Sequence, residues 1–143
     1  MSVQSLLDRQ EIAELCVRYT FALDAKDWAK LASCFAPDPV FVHPGGRLEG
    51  FAAILARTSA ALDPLDRTQH LLGNIDVEVD GDTGRASTYF HAQHVRAGTP
   101  GGDLYVIAGR YDDAVVRTDA GWRIREREQS YLWRSGNRAV VAR

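Results

Sequence analysis

Ile12, Leu15, Cys16, Tyr19 and Leu23 recur at steps of three and four between Ser5 and Leu23. That spacing predicts one long helix with a single apolar stripe. Asp27 stands as an N-cap before Trp28, Leu31, Ala32 and Phe35, which predicts a second helix, ended by Pro37 and Pro39. Val40 to His43 alternates and reads as a short strand closed by Pro44-Gly45-Gly46, and Gly50 to Leu62 returns to a helical pattern. After Asp63-Pro64 the period falls to two. Thr68–Val79, Arg85–Ala97, Leu104–Arg117 and Trp122–Trp133 read as long strands, with turn chemistry at Asp80–Gly84, Gly98–Asp103 and Asp119–Gly121.

Helices first and tightly linked strands afterwards predict an α+β fold with a mostly antiparallel sheet. Long strands twist and coil strongly. Three N-terminal helices are therefore expected to cover a curved sheet and enclose an apolar pocket. Leu104-Tyr105-Val106-Ile107-Ala108 is apolar on both faces, so its outer face needs a cover, which points to a subunit interface. In the last strand, alternation groups Arg123, Arg125, Arg127, Gln129 and Tyr131 on one face. It sets Trp122, Ile124, Glu126, Glu128 and Leu132 on the other. A bulge would exchange the two sets.

The chain has 143 residues, which fits a single domain over residues 1–143, with the end of the Ser135–Arg143 tail expected to be loosely packed. A net charge of −2 gives no steering toward nucleic acid or an anionic membrane. No apolar run approaches the roughly 20 residues of a transmembrane helix. Residues Met1 to Arg9 lack a signal-peptide pattern, so a cytoplasmic protein is expected. Cys16 and Cys34 each fall in a predicted helix among apolar neighbours and read as buried thiols without a disulfide.

Asp24, at the C-terminal end of the first helix, carries a charge that the helix end disfavours, and Asp27 already supplies the next cap. It reads either as a solvent-facing turn residue or as a working carboxylate. His70 opens a strand and reads either as a structural imidazole or as a base that needs a partner to set its tautomer. His91 and His94 share a strand three residues apart and face opposite ways. His43 and His70 lack a third ligand at zinc spacing, so no metal site is expected. Phosphate loops, nucleophile elbows and dinucleotide fingerprints are absent from the sequence, and no cofactor is expected.

Arg9-Gln10-Glu11-Ile12, Ala22-Leu23-Asp24, Asp27-Trp28, Leu48-Glu49-Gly50, Gln69-His70, Gly73-Asn74, Gly109-Arg110-Tyr111 and Gly121-Trp122-Arg123-Ile124 occur in an order that spans almost the whole chain. The pattern resembles SnoaL-like proteins of the nuclear transport factor 2-like (NTF2-like) superfamily. It is most similar to the scytalone dehydratase and hexachlorocyclohexane dehydrochlorinase branch. The resemblance implies a cone-shaped α+β barrel that forms homodimers or homotrimers through its sheet. It implies an Asp24–His70 catalytic dyad, with Arg127 matching the branch's arginine in the last strand, counted from Trp122. Tyr19 stands where the dehydrochlorinase has a pocket lysine, which favours dehydration or isomerisation over dehydrochlorination. The expected activity is a cofactor-independent lyase or isomerase acting on a small apolar cyclic, polyketide-like or steroid-like molecule. A polyketide-cyclase-like enzyme and a non-catalytic ligand-binding or assembly module of the same fold are the alternatives.

Overall fold

The computed structural model describes residues 1–142. Helix α1 spans Val3–Ala25, with Ser2 accepting a hydrogen bond from the Ser5 amide at its start. The stripe read from the sequence faces inward: Ile12, Leu15, Cys16, Tyr19 and Leu23 are all buried. Burial of each large apolar side chain stabilises the fold by roughly 1.5–3 kcal/mol. Lys26 takes a left-handed conformation as the cap, and the Asp27 amide donates back to the Ala22 carbonyl. This tight helix ending satisfies the last carbonyls and fixes the direction of the final turn, where Asp24 lies.

Helix α2, Trp28–Ala32, is capped by the Asp27 carboxylate on the Lys30 amide, as the sequence predicts. It stops earlier than expected. Cys34 is buried in the turn beyond it rather than in a helix, and strand β1 begins at Phe35 and runs to His43. Pro37 and Pro39 therefore lie inside β1. They fall where the register jumps between Phe35 and Val40, so their missing N–H groups break no ladder bond. A four-residue strand, β2 at Gly46–Glu49, begins at the last residue of the expected Pro44-Gly45-Gly46 turn and fills a stretch to which the sequence assigns no element. Helix α3 covers Phe51–Leu62.

Strands β3 (Arg67–Asp80), β4 (Thr83–Val95), β5 (Leu104–Thr118) and β6 (Gly121–Gly136) follow in antiparallel succession. The sheet order is β2-β1-β6-β5-β4-β3, with β1 parallel to β6. The sheet is curled but not closed, and the helices pack within its curl. A latch fixes α1 across the sheet: Asp8 accepts two hydrogen bonds from Arg117 at 2.8 Å and one from the Trp122 indole at 3.1 Å.

Two bulges in β6, at Arg125 and Leu132, reset its parity. Trp122 and Ile124 share the interior with Arg127, Gln129 and Tyr131, so the grouping expected from simple alternation is corrected. Gly109 sits opposite the second bulge, and the Phe90 ring lies where a Cβ at that position would be. Phe90 can then stack on Tyr111 with centroids 4.3 Å apart. A 3-10 turn at Arg138–Val140 buries Val140 completely, while Ala142 is exposed and Arg143, the end of the tail expected to be loose, lies outside the described residues. Among the described residues no helix is long and apolar enough to cross a membrane.

The outer face carries a row from Leu71 through His91 and Ala108 to Trp133, each paired with the next across adjacent strands. Leu71, Trp133 and nearby Tyr89 are exposed, and the His91 ring meets Trp133 edge-on.

Candidate active site

The inner face opposite that row forms the wall of a cavity of about 250 Å³. His70, Ala92 and Ile107 are paired neighbours on β3, β4 and β5, and all three line it. Tyr19 and Leu23 reach it from α1, Leu62 from α3, and Val141 from the chain end. The volume lies just below the roughly 300–1,000 Å³ of common small-molecule sites, which limits a ligand to a compact shape.

Asp24 and His70 meet although 46 residues separate them. The end of α1 packs across the start of β3, which aims the carboxylate at the strand. Asp24 Oδ1 lies 2.7 Å from His70 Nδ1 and accepts the Thr68 hydroxyl at 3.0 Å, while Oδ2 accepts the His70 backbone N–H at 2.9 Å. A carboxylate can only accept, so the imidazole proton resides on Nδ1 and Nε2 is the basic nitrogen. The His70 side chain is 6% exposed and that of Asp24 24%. Burial pushes the Asp24 carboxyl up, but the hydrogen bonds from the His70 ring, the His70 amide and Thr68 outweigh it. The carboxyl is held below its ordinary value.

Tyr19 is buried in the cavity wall, where loss of solvent outweighs the nearby Arg127 charge and raises its phenol. It therefore remains a neutral O–H donor. Arg127 is placed differently from the sequence expectation. Its guanidinium is buried and donates to both oxygens of Asp113, at 2.7 and 2.8 Å. Tyr19 and Tyr111 each approach the guanidinium at 4.0 Å from their ring centroids. Arg127 lies behind these tyrosines and is not part of the cavity wall. Parity brings it inward through the Arg125 bulge, but Asp113 engages its charge.

His94 is a cavity residue that the sequence reading did not select. Its spacing from His91 showed only that the two face opposite ways, and His94 takes the inside. Its Nδ1 donates to the Tyr105 carbonyl at 3.1 Å, and its ring lies 6.3 Å from that of His70. Burial lowers its pKa, and the neighbouring His70 adds to the shift. His43 stands apart, its Nδ1 accepting the Gly45 amide. No group of three metal-ligating side chains occurs among the described residues.

Three helices packed in the curl of a six-stranded, mostly antiparallel sheet, with a small cavity between them, define an NTF2-like fold. The SnoaL-like domain model matches residues 4–128, and the chain belongs to that family. An uncharacterized protein of Mycobacterium tuberculosis is 34% identical over 132 residues, covering 91% of this chain and 89% of the relative. Among solved structures, a proposed scytalone dehydratase of Novosphingobium aromaticivorans superposes with a TM-score of 0.86 at 22% identity, covering 96% of this chain and 92% of that one. A type 2 hexachlorocyclohexane dehydrochlorinase superposes with a TM-score of 0.81 at 21% identity, covering 92% and 90%. Both names denote lyases, and at these identities the likeness shows the shared fold.

Proposed function

We propose that the protein is a cofactor-independent lyase or isomerase that removes a proton from carbon in a small, largely apolar cyclic molecule. The reading rests on the 2.7 Å contact between Asp24 and His70, with the imidazole in the cavity wall. His70 Nε2 takes the proton, and Asp24 holds the tautomer and stabilises the imidazolium that forms. The neutral Tyr19 phenol donates to a carbonyl or departing hydroxyl oxygen. Removal of one such donor typically costs about 3 kcal/mol of transition-state stabilisation. Arg127 acts at one remove by holding the Tyr19 ring.

A panel of cyclic hydroxy-ketones and polyketide-like compounds in deuterated buffer tests this. The expected result is loss of water or carbon-bound deuterium exchange, reduced about 10²–10⁴-fold in His70→Ala. Turnover that survives His70→Ala at the wild-type rate would end the reading.

Assembly through the outer sheet face belongs to the same proposal, with a second copy of this chain as the partner. The exposed Leu71, Tyr89 and Trp133 form the apolar patch that association would cover. Light scattering on the eluting protein should give a dimer or trimer mass, reduced toward that of a monomer in Trp133→Arg. A monomer mass for the wild type would refute it.

A further inference from the structure

One member of the cavity wall has no part in the proposed proton transfer. Arg57 lies on α3, beside Thr58 and one turn before Ala61, and all three line the cavity. It is half-buried, and it forms no ion pair or side-chain hydrogen bond among the described residues. Its charge reaches the surroundings: partial burial and the Arg57 charge together hold the His43 imidazole below its ordinary value.

The rest of the wall does not balance that charge. Among the described residues no aspartate or glutamate lines the cavity. Asp24 accepts hydrogen bonds from His70 and Thr68 and stands outside the wall, and Asp113 is neutralised by Arg127. His94 is held toward its neutral form. Among the described residues, Arg57 is therefore the one permanent charge in the wall, on a surface otherwise built from rings, aliphatic groups and uncharged polar groups. A guanidinium presents a planar fork that matches a carboxylate through two parallel hydrogen bonds, and the bond strengthens where water is excluded.

We infer that the ligand of this cavity is a small cyclic carboxylate, with its anionic group on Arg57 and its ring against Phe90, Ile107 and Leu62. One guanidinium balances one monoanion, whereas a phosphate monoester carries up to two negative charges and would leave part of its charge unmatched. The inference rests on the reading of the cavity as a substrate site and adds the charge of the substrate to it.

Calorimetric titration of benzoate against benzamide, and of 2-naphthoate against 2-naphthamide, tests the idea on the intact protein. Each pair differs in charge while keeping the ring. The wild type should bind the carboxylate of the better-fitting pair at least about tenfold more tightly than its amide, the scale of one hydrogen bond to a charged group. Arg57→Gln should bring that ratio near unity, and Arg57→Lys should retain part of it. The half-exposed position of Arg57 favours folding of both variants, which thermal melting verifies. Equal binding of acid and amide by the wild type, an unchanged preference in Arg57→Gln, or no saturable binding of either carboxylate would overturn the inference. His70→Ala separates the two proposals. Carboxylate preference that persists in a protein without turnover supports the Arg57 site whatever the outcome for the base.

Discussion

Asp113→Ala is expected to destabilise the fold by about 3–5 kcal/mol, the usual cost of removing one partner from a buried ion pair. The melting temperature should fall by roughly 10 °C or more for a chain of this size. Arg127 is left behind in this variant, and nothing nearby can replace the lost carboxylate. Burial alone would drive the proton from the guanidinium, but Asp113 more than offsets this and holds it on. The Nη1 atom of Arg127 already lacks a hydrogen-bond partner, so the variant would add two more orphaned donors to the same group. A second change separates charge from packing. Asp113→Ala combined with Arg127→Met removes the stranded charge and should recover a substantial part of the loss in calorimetry. A double variant no more stable than the single one would show that the penalty does not come from an uncompensated guanidinium.

The same pair shows where sequence reading stops. Alternation along β6 is a local rule, and it holds on either side of Arg125. The single extra residue there moves Arg127 to the interior, and only the partner strand reveals it through the offset between Ala114–Glu126 and Val115–Ile124. No pattern in the sequence announces Asp113 as its partner, because cross-strand neighbours are set by register. Helix α1 is the opposite case. Its stripe is periodic, and every predicted member of it is buried. Asp27 is likewise legible, because a cap acts on a residue three positions away.

Asp24 and His70 lie between these extremes. Their residue types and places at element ends marked them out, while their meeting depends on how α1 crosses β3. His94 was half legible: period two separated it from His91 without saying which one the helices would cover. Strand β2 was hidden because Gly46 looks like a turn residue and residues 47–49 are too short a stretch to show a period until β1 lies beside it. The tail was illegible for a related reason. Nothing periodic in its short sequence marks Val140 for the core or Val141 for the cavity wall.

Asp24→Asn should lower kcat/KM by about 10²–10⁴-fold with little change in the cavity's shape, because it changes which nitrogen of His70 carries the proton. The Asp24 carboxylate accepts three hydrogen bonds: from the Thr68 hydroxyl, the His70 backbone N–H and His70 Nδ1–H. An asparagine offers one accepting oxygen and one donating NH₂ in the same space. The His70 backbone N–H cannot reverse its polarity, so the oxygen is required there. The NH₂ then faces Nδ1, which can satisfy it only by giving up its proton. The proton moves to Nε2, and the ring loses the basic nitrogen it needs. Nitrogen-15 shifts of the imidazole read this without any substrate. The wild type should show the Nδ1–H tautomer at pH 8, and Asp24→Asn the Nε2–H tautomer. Acid titration gives a further sign. The folded-state pKa of Asp24 is lowered, so its stabilising contribution is present above the ordinary carboxylate value near 3.9. That contribution is lost as pH falls through the lower folded value, and the variant should lack this part of the acid-induced loss. A wild-type ring that already carries its proton on Nε2 would remove His70 as the base, however close Asp24 stands to it.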